Sequence, residues 1–450
     1  MKTERPFPSV WTLHVLLLTA LCGSAQPVIR IAPGFEHSLF LMSDGSLWVM
    51  GSNDNGQLGD GTYNNTNLPE QLIASNITAI AAGYFHSLFI SNNGALWGMG
   101  YSYPGELGGL APVSPYLTNR PGLIVARNVT AIAAGASHSL FISNNASLWA
   151  MGDDTEGELG DGRFNSVTVP ERIAASNITA IAAGFTFSLF TRNNGSLWGM
   201  GANYDGELGA GEIDNSAVPV QIAAGKIVAL TAGDFHSLYL SNNGSLWGMG
   251  RNFNGQLGIG SVPSTNKPVQ IVASNVTAVA AGSLHSLFIK SDGSLWGMGD
   301  NSYGQLGENS DLGTDQPEEI LPGGVIAVAA KRFQSMFLKS DGSLWVMGDN
   351  GSGQLGGGTN SEILLPRAIL EPADYGQLVG RLMAGGAVVL SSVGVGESRY
   401  ALERTFNLLP PDWVPLATNS AGAGGIVIFT NTPVPTTNNF WRVRSENGAN

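Results

Sequence analysis

The sequence has a single cysteine, Cys22, among its 450 residues. That residue lies in an N-terminal segment with the pattern of a removable signal, so the mature chain would contain no thiol. Disulfide bonds and thiol chemistry are thereby excluded. Packing alone must then stabilise the fold.

The N-terminal segment combines a positive start, a short apolar run and small residues at its end. Lys2 and Arg5 are basic, Trp11–Leu21 is mostly apolar, and Gly23-Ser24-Ala25 suits a signal peptidase. The run is too short to span a bilayer permanently. We therefore expect residues 1–25 to be a signal peptide that is cleaved near Ala25, and the protein to be exported.

Charged residues are also scarce, and basic ones are the scarcer kind. Charged residues make up 12% of the chain, and 21 basic residues stand against 34 acidic ones, for a net charge of −13. A surface of this sign repels the phosphates that nucleic-acid-binding proteins neutralise with Lys and Arg. After the signal, no apolar run approaches membrane-spanning length. We therefore expect neither a nucleic-acid partner nor a stable membrane span.

What the chain has in abundance is repetition. Seven tryptophans recur 49 residues apart, with one gap of 52: Trp48, Trp97, Trp149, Trp198, Trp247, Trp296 and Trp345. A fixed period near 50 residues indicates one supersecondary unit that is copied and stacked. The repeat therefore decides the architecture before any motif is considered.

The copy at Ile227–Ser274 shows what each unit contains. Asn243-Gly244 is a strong hairpin signal, because both central positions of a two-residue primed turn need positive φ. The residues around it alternate as strands do. The predicted strands are Ile227–Gly233, His236–Leu240, Leu246–Gly250 and Pro268–Val272. Four short strands per unit predict an all-β fold built from blades.

Three motifs recur in the seven copies: Ala-Ala-Gly-x-x-His-Ser-Leu, Asp/Asn-Gly-x-Leu-Trp and Gly-x-Asn-x-x-Gly-Gln-Leu-Gly. They resemble the repeat of the regulator of chromosome condensation family. The resemblance runs from Val28 to about Leu370 and implies a seven-bladed β-propeller over residues 27–370. It also implies a ring closed by pairing of terminal strands, which would put Val28–Ala32 beside the blade of Ser335–Leu370. Such closure removes free sheet edges.

The histidines also recur, at His37, His86, His138, His236 and His285, and Phe187 and Gln334 take their place in the other two copies. Each lies in a different unit, so they do not converge on one metal ion. We interpret them as structural, with each imidazole bonding neighbouring backbone. The seven tryptophans are also interpreted as structural, because their rings offer apolar contact area between blades.

A further repeated position alternates between an amide and a carboxylate: Gln57, Glu106, Glu158, Glu207, Gln256, Gln305 and Gln354. An amide cannot replace a general acid, which argues against catalysis by this set. We expect these side chains to bond loop backbone. The sequence therefore predicts no catalytic residue, no metal site and no cofactor.

Positions that differ between copies are better candidates for binding. Loops inside a rigid repeat are free to vary, and binding surfaces are commonly built there. Aromatic residues flanked by acidic ones would suit a protein or glycan partner. Drift in loops that bind nothing would produce the same variation. The candidate binding residues are Asp54, Tyr103, Thr155, Tyr204, Phe253 and, in the loop with the three-residue insertion, Tyr116.

The repeat ends near Pro372. We expect a linker at 371–384 and a small β-rich, sandwich-like module at 385–450, with strands at Ala387–Ser391, Arg399–Glu403, Gly425–Phe429 and Phe440–Arg444. Tyr400–Leu408, Trp413 and the closing strand resemble a module that ends many secreted proteins of the Verrucomicrobia–Planctomycetes group. The resemblance implies a bacterial protein that is secreted or held at the cell surface or in the periplasm.

These observations predict an exported, monomeric, non-catalytic propeller scaffold that binds a protein or glycan through variable loops. The family resemblance leaves two alternatives. One is a guanine-nucleotide-exchange-type regulator, which needs a cytosolic or nuclear GTPase and is opposed by export and by the missing basic patch. The other is a secreted enzyme inhibitor, since the family includes an exported seven-bladed protein that blocks β-lactamases.

Overall fold

The computed structural model describes residues 27–109, 116–212, 214–308, 311–370, 379–382, 388–393, 399–405, 414–420, 426–431 and 440–445. The expected signal peptide at 1–25 lies outside these residues. The chain divides into two compact units, of which Pro27–Leu370 is one, and Met1–Gln26 with Glu371–Asn450 is the other. Within the described residues every regular element is a strand. No helix among them is long and apolar enough to cross a membrane.

The unit Pro27–Leu370 consists of seven antiparallel four-stranded sheets, which confirms the predicted seven-bladed β-propeller. Blades 1 to 4 contain β1 (Val28–Pro33), β2 (His37–Met42), β3 (Leu47–Gly51), β4 (Thr66–Ile73); β5 (Ile77–Ala82), β6 (His86–Ser91), β7 (Leu96–Tyr101), β8 (Leu117–Val125); β9 (Val129–Ala134), β10 (His138–Ser143), β11 (Leu148–Gly152), β12 (Val167–Ala174); β13 (Ile178–Ala183), β14 (Phe187–Arg192), β15 (Leu197–Gly201) and β16 (Ser216–Ala223). Blades 5 to 7 contain β17 (Ile227–Ala232), β18 (His236–Ser241), β19 (Leu246–Arg251), β20 (Ser264–Val272); β21 (Val276–Ala281), β22 (His285–Lys290), β23 (Leu295–Gly299), β24 (Thr314–Leu321); β25 (Val325–Lys331), β26 (Gln334–Lys339), β27 (Leu344–Gly348) and β28 (Ile363–Leu370).

The first strand of each blade is the innermost one, since these strands contact one another around the ring. The fourth strand is the outer edge, and each carries a proline: Pro69, Pro121, Pro170, Pro219, Pro268, Pro317 and Pro366. Proline offers no backbone N–H, which discourages a further strand from pairing with an exposed edge.

Ring closure differs from the expectation. β1 pairs with β2 of its own blade rather than with the last blade. The first and last blades meet through side chains instead, where Phe40 and Met50 join Met336 and Leu338 in one buried cluster. The physical reason is that each repeat supplies all four strands of its sheet from consecutive residues, so no blade needs a strand from the other end of the chain.

The hydrophobic core is divided among the blade interfaces. Seven buried clusters, counted over the described residues, each join two adjacent blades. Gly59 shows why the repeat ends its Gly-Gln-Leu-Gly segment in glycine: its φ is +72°, and a Cβ there would lie 2.4 Å from Sδ of Met99 in the next blade. Burial of apolar area between blades therefore holds the ring together.

The second unit contains two antiparallel three-stranded sheets. One has the order β29 (Val379–Leu382), β30 (Val388–Val393), β33 (Ile426–Asn431), and the other β32 (Val414–Ser420), β31 (Arg399–Thr405), β34 (Phe440–Ser445). The sequence placed a linker at 371–384, but β29 lies within it and pairs with β30. The four residues of β29, Val379-Gly380-Arg381-Leu382, do not alternate between apolar and polar, so the pattern gave no strand signal there.

Candidate functional site

The repeated histidines connect consecutive blades. Nε2 of His37 lies 2.9 Å from Oγ of Ser87 in blade 2, and that hydroxyl donates to the Gln57 carbonyl of blade 1 at 2.8 Å. Because the hydroxyl hydrogen goes to the carbonyl, Nε2 must donate. Equivalent pairs are His86–Ser139, His138–Ser188, His236–Ser286 and His285–Ser335. Each imidazole thus bonds a serine of the next blade. The expectation that it bonds neighbouring backbone was wrong.

These imidazoles are neutral at physiological pH. All five are fully buried, and burial lowers the pKa of each to about 3. Each imidazole lies in a different blade and bonds a different serine. Their common role is to link blade to blade.

The last copy departs from the motif at two coupled positions. A Cβ on Gly34 would lie 2.4 Å from Cε1 of His37, so the imidazole needs glycine three residues before it. In blade 7, Lys331 stands in place of that glycine and Gln334 stands in place of the histidine. The Gln334 side chain accepts from Ser38 at 3.1 Å and donates to the Gly34 carbonyl at 2.7 Å. A different pair of bonds therefore connects the last blade to the first.

The Gln/Glu position holds loop backbone. Gln57 Oε1 accepts the Asn55 N–H at 2.9 Å, and Glu158 Oε2 accepts the Glu156 N–H at 2.9 Å. The glutamates of this set are buried, and burial raises the pKa of Glu158 to about 8 and those of Glu106 and Glu207 to about 7. The amide oxygen of Gln57 and the carboxyl oxygen of Glu158 therefore accept the same hydrogen bond from loop backbone.

The tryptophan rings each stack on an aromatic residue of the preceding strand in the same blade. The Phe141–Trp149 planes are 3° apart with centroids at 5.8 Å, and Tyr239–Trp247 is 2° apart. Each tryptophan also packs at the edge of a cluster between blades; Trp97, for example, borders the cluster of blades 1 and 2. The indole nitrogen donates to the serine two residues earlier in all copies except the second, which has Ala95 there.

The loops that vary all lie at one end of the blades. In each blade the first strand runs toward this end and the second away from it, so the β1–β2 type loop and the β3–β4 type loop both emerge there. We call this end the loop face. The predicted binding residues Asp54, Tyr103, Thr155, Tyr204 and Phe253 are all exposed in the β3–β4 type loops, on five different blades.

The structure brings some of these residues together and separates others. Tyr103 and Tyr116 touch, with ring centroids 4.7 Å apart. Tyr204 and Phe253, on adjacent blades, are 74% and 65% exposed. The Tyr204 hydroxyl donates to Glu156 of blade 3 at 2.7 Å. Asp54 and Thr155, on blades 1 and 3, line neither of the two grooves described next.

Two adjacent grooves cross the loop face, each beside one exposed aromatic ring. The first, about 440 Å³, lies between blades 4 and 5 and is lined by Tyr204, Asp205 and Glu212. The second, about 630 Å³, lies between blades 5 and 6 and is lined by Phe253, Asp300, Asp315 and Glu318. We call them the acidic grooves. An aromatic wall beside several carboxylates suits a cationic, partly apolar ligand.

Residues that the sequence analysis did not select converge on the axis of the ring. The Tyr84 hydroxyl of blade 2 donates to Oδ2 of Asp234 in blade 5 at 2.6 Å, and Ser283 of blade 6 donates to the same oxygen. Blades 2 and 5 are not neighbours, so this bond crosses the axis. Phe35 lies 4.4 Å from the Tyr84 ring, and Arg332 covers Phe35 at 3.8 Å.

Lys331 lies beneath this axial cluster. Its residue is 5% exposed, its ammonium is 5.6 Å from the Tyr84 ring centroid, and burial lowers its pKa. Among the described residues no carboxylate forms an ion pair with it. The sequence carried a signal for this cluster, because the two residues before the repeated His position, which is Gln334 in the last copy, vary between copies and include Tyr84, Asp234 and Arg332. The contact across the ring was not visible there.

Arg251 was also missed, although it lies beside the second acidic groove. Its guanidinium is 5.2 Å from the Phe235 ring and 5.3 Å from the Phe253 ring. Arg251 directly follows Gly250 at the end of β19, at a position that varies between copies. One face of Phe253 is thus already covered by a cation of this chain.

Comparison with known families identifies the repeat. A model of the regulator of chromosome condensation (RCC1) repeat matches residues 28–57, 77–105, 129–158, 178–207, 227–256, 276–305 and 325–354. A second model of the same description matches residues 44–90, 194–240 and 243–289. Together the two cover more than half of the chain.

Solved structures share the fold at low sequence identity. Human WBSCR16 is 21% identical with a TM-score of 0.65, over 74% of this chain and 95% of that one. Yeast RCC1 (Prp20) in its complex with Kap60 is 18% identical with a TM-score of 0.67, over 79% and 87%. Prp20p of Saccharomyces cerevisiae, described with its binding properties to Gsp1p and histones, is 19% identical with a TM-score of 0.66, over 78% and 88%.

Proposed function

This chain belongs to the regulator of chromosome condensation (RCC1) repeat family, and from that premise we propose that it is an exported, non-catalytic scaffold whose loop face binds a basic protein. The observation that carries the proposal is the pair of acidic grooves, each walled by an exposed aromatic ring. Exposed aromatic rings beside a rim of charge are typical of protein-binding surfaces.

The sign of the charge selects the partner. The grooves present Asp205, Glu212, Asp300, Asp315 and Glu318, and the whole chain has a net charge of −13. Lys and Arg side chains are attracted to such a surface and can also stack on Tyr204 and Phe253. A protein with a Lys- and Arg-rich segment fits this chemistry better than a neutral glycan does.

The repeated polar side chains support a non-catalytic role. The five histidines and the serines they meet bond across blade junctions, and the Gln/Glu side chains bond their own loop. Ser38 and Gln334 bond each other at the junction of the first and last blades. A group occupied in such a link is not available to activate a substrate. Relatives with this fold also have protein partners, as the complex of yeast RCC1 with Kap60 illustrates.

The experiment is affinity capture with matched variants. Protein without residues 1–25 is immobilised and exposed to the native medium or extract, and captured proteins are identified and titrated. Tyr204→Ala with Phe253→Ala should weaken binding by about 30-fold or more, the effect of losing one central aromatic anchor. Phe164→Ala is the control, because Phe164 is 53% exposed on blade 3 but lies in neither groove.

The salt dependence distinguishes the partner classes. Capture of a basic protein should fall as ionic strength rises, because exposed charge pairs are screened. Capture that resists salt and is competed by a polysaccharide would indicate a glycan instead. Capture that the double variant leaves unchanged would exclude these grooves. Fractionation of the native culture tests export: full-length protein retained in the cell would contradict it.

A further inference from the structure

The β3–β4 type loops of blades 1 and 3 have the same length and align without a gap, so their residues can be compared position by position. Asn53 of blade 1 corresponds to Asp154 of blade 3, and Asp60 corresponds to Asp161. Oδ1 of Asn53 accepts the Leu58 N–H at 3.0 Å, and Oδ1 of Asp154 accepts the Leu159 N–H at 2.8 Å. One oxygen of each side chain therefore does the same work in the two blades.

The other side-chain atom differs. In blade 1 it is the amide Nδ2 of Asn53, which donates to Asp60 Oδ1 at 3.0 Å and to the Thr62 carbonyl at 3.3 Å. In blade 3 it is Oδ2 of Asp154, which has no hydrogen to donate when ionised. That oxygen is fully buried and has no partner. In blade 3 the acceptor Oδ2 of Asp154 thus takes the place that the donor Nδ2 of Asn53 holds in blade 1.

The partner carboxyl group is buried as well. The Asp161 side chain is 6% exposed and accepts the Arg163 N–H at 2.7 Å as well as the Arg163 guanidinium. Asp154 and Asp161 occupy the places that Asn53 and Asp60 hold 3.0 Å apart in blade 1, and two buried carboxylates in that arrangement cannot both remain ionised without a large cost. A single proton between them restores the hydrogen bond that Asn53 makes in blade 1.

The surrounding charges increase that cost. Asp161 raises the pKa of Asp154, and Asp153 and Asp154 both raise the pKa of Glu158. Arg163 is the cation that faces Asp154, but its side chain is 51% exposed and its guanidinium is shared by Asp161 and Glu171. From blade 2, Glu106 adds a further acidic group near Asp153. Burial, and then Asp161, raise the pKa of Asp154 to about 7 against the lowering by the Leu159 N–H, so the proton is placed on Asp154.

We propose that Asp154 and Asp161 share one proton, and that its loss loosens the loop of blade 3 that carries Glu156. Glu156 accepts bonds from the Tyr204 hydroxyl and from the Asn215 amide, and so links this loop to the wall of the first acidic groove. The pair therefore couples pH to the loop face. The effect on a partner rests on the proposed function, whereas the shared proton does not.

The test uses the two blades as reciprocal controls. Asp154→Asn rebuilds the blade 1 arrangement in blade 3, and Asn53→Asp builds the acid pair in blade 1. The unfolding free energy is measured by denaturant titration from pH 4 to pH 9. A pair that holds a proton only when folded makes stability fall as pH rises from about 4 to about 7. Relative to wild type, Asp154→Asn should remove up to one proton from this slope.

Asn53→Asp should add up to one proton to the same slope. If Asp154→Asn leaves the slope unchanged, or fails to fold, the shared proton is refuted. If Asn53→Asp does not fold, the Asp154→Asn slope decides alone. A carbon NMR titration of wild type and Asp154→Asn, both labelled at the aspartate carboxyl groups, gives an independent readout. The signal present in wild type and absent from the variant belongs to Asp154. The missing carboxyl signal should titrate near pH 7, and one that titrates near pH 4 would overturn the proposal.

The coupling to the loop face has its own measurement. Wild type should bind the captured partner at least about fivefold more weakly at pH 8.5 than at pH 6, a typical coupling between two sites. Asp154→Asn should show a change of less than about twofold, since its amide donates at every pH. An equal loss in both proteins would separate the proton from partner binding. Absence of any partner would refute the proposed function and leave the stability slopes to judge the pair.

Discussion

Glu158 occupies a position where four of the seven copies have glutamine, so replacing it with glutamine is a substitution that the fold already contains. Its Oε2 accepts the Glu156 N–H at 2.9 Å, and the residue is 1% exposed. Burial and the charges of Asp153 and Asp154 raise its pKa to about 8. Glu158→Gln should therefore stabilise the protein at alkaline pH.

The sign and size of the effect follow from proton linkage. The folded-state pKa lies above the unfolded value of 4.5, so Glu158 lowers stability progressively as pH rises from about 4.5 to about 8. The glutamine variant escapes this loss. Its advantage should be near zero at pH 4, grow by about 1.4 kcal/mol per pH unit, and level off at about 3–5 kcal/mol above pH 8.

A second blade supplies the control. Gln305 in blade 6 donates its amide to Asp300 at 2.7 Å, and Asp153 holds the matching place in blade 3. We expect the new amide to donate to Asp153 as in blade 6, and not to stay without a partner like the Gln354 amide of blade 7, where Asp349 holds that place. In blade 4 the matching residue is Ala202. Glu207→Gln should therefore gain only about 0–2 kcal/mol, because an unpaired buried amide costs about 1–3 kcal/mol.

The assay is denaturant unfolding of wild type and both variants at intervals from pH 4 to pH 9. An advantage of Glu158→Gln that is already present at pH 4, or that is absent at pH 9, would refute the assignment of a buried, protonated glutamic acid. Equal gains in the two variants would refute the role given to Asp153.

Three further outcomes are expected from the same unfolding assay. Gly135→Ala should cost about 1–3 kcal/mol by crowding the imidazole of His138, and adding His138→Gln, as in the last copy, should recover part of it; no recovery would contradict the coupling. His236→Phe should cost about 1 kcal/mol at pH 7 through the lost bond to the next blade; below pH 6.5 the cost should shrink by about 1.4 kcal/mol per pH unit, since wild type alone loses stability as its unfolded imidazole takes up a proton, and a cost independent of pH would contradict the buried neutral imidazole. Tyr84→Phe should cost about 1–3 kcal/mol by leaving Asp234 short of a donor, and a neutral result would contradict the bond across the axis.

The blades themselves could be predicted because their signals are local. The turn at Asn243-Gly244 and the alternation around it mark β18 and β19 within a few residues of their observed bounds. The expected primed turn was wrong, because only Gly244 of the two has positive φ, at +77°, and the Gly244 N–H bonds the Ser241 carbonyl. Repetition at fixed intervals then gave the number of sheets. The same argument found the exposed positions Tyr204 and Phe253, because a loop that varies between rigid copies faces solvent.

Contacts between copies were beyond such reasoning. The serine partner of each imidazole lies about 50 residues away, and Tyr84 meets Asp234 across 150. No local pattern encodes which copy faces which. The closure that the family resemblance implied, with Val28–Ala32 paired to the blade of Ser335–Leu370, was wrong, because β1 pairs with β2. Residues that break the repeat, such as Lys331 and Gln334, were visible as departures but had no meaning without their neighbours in space.

The sequence by itself determined a ring of seven like sheets, since hydrogen-bonded hairpins and buried alternation depend on residues close along the chain. Only the tertiary structure decided what the ring presents: the cluster on its axis, the grooves beside Tyr204 and Phe253, and the acid pair of Asp154 and Asp161. The axial cluster and the grooves arise where residues distant along the chain meet, and the acid pair arises where the fold of one loop buries two carboxyl groups. Their chemistry is set by that environment rather than by the residue type alone.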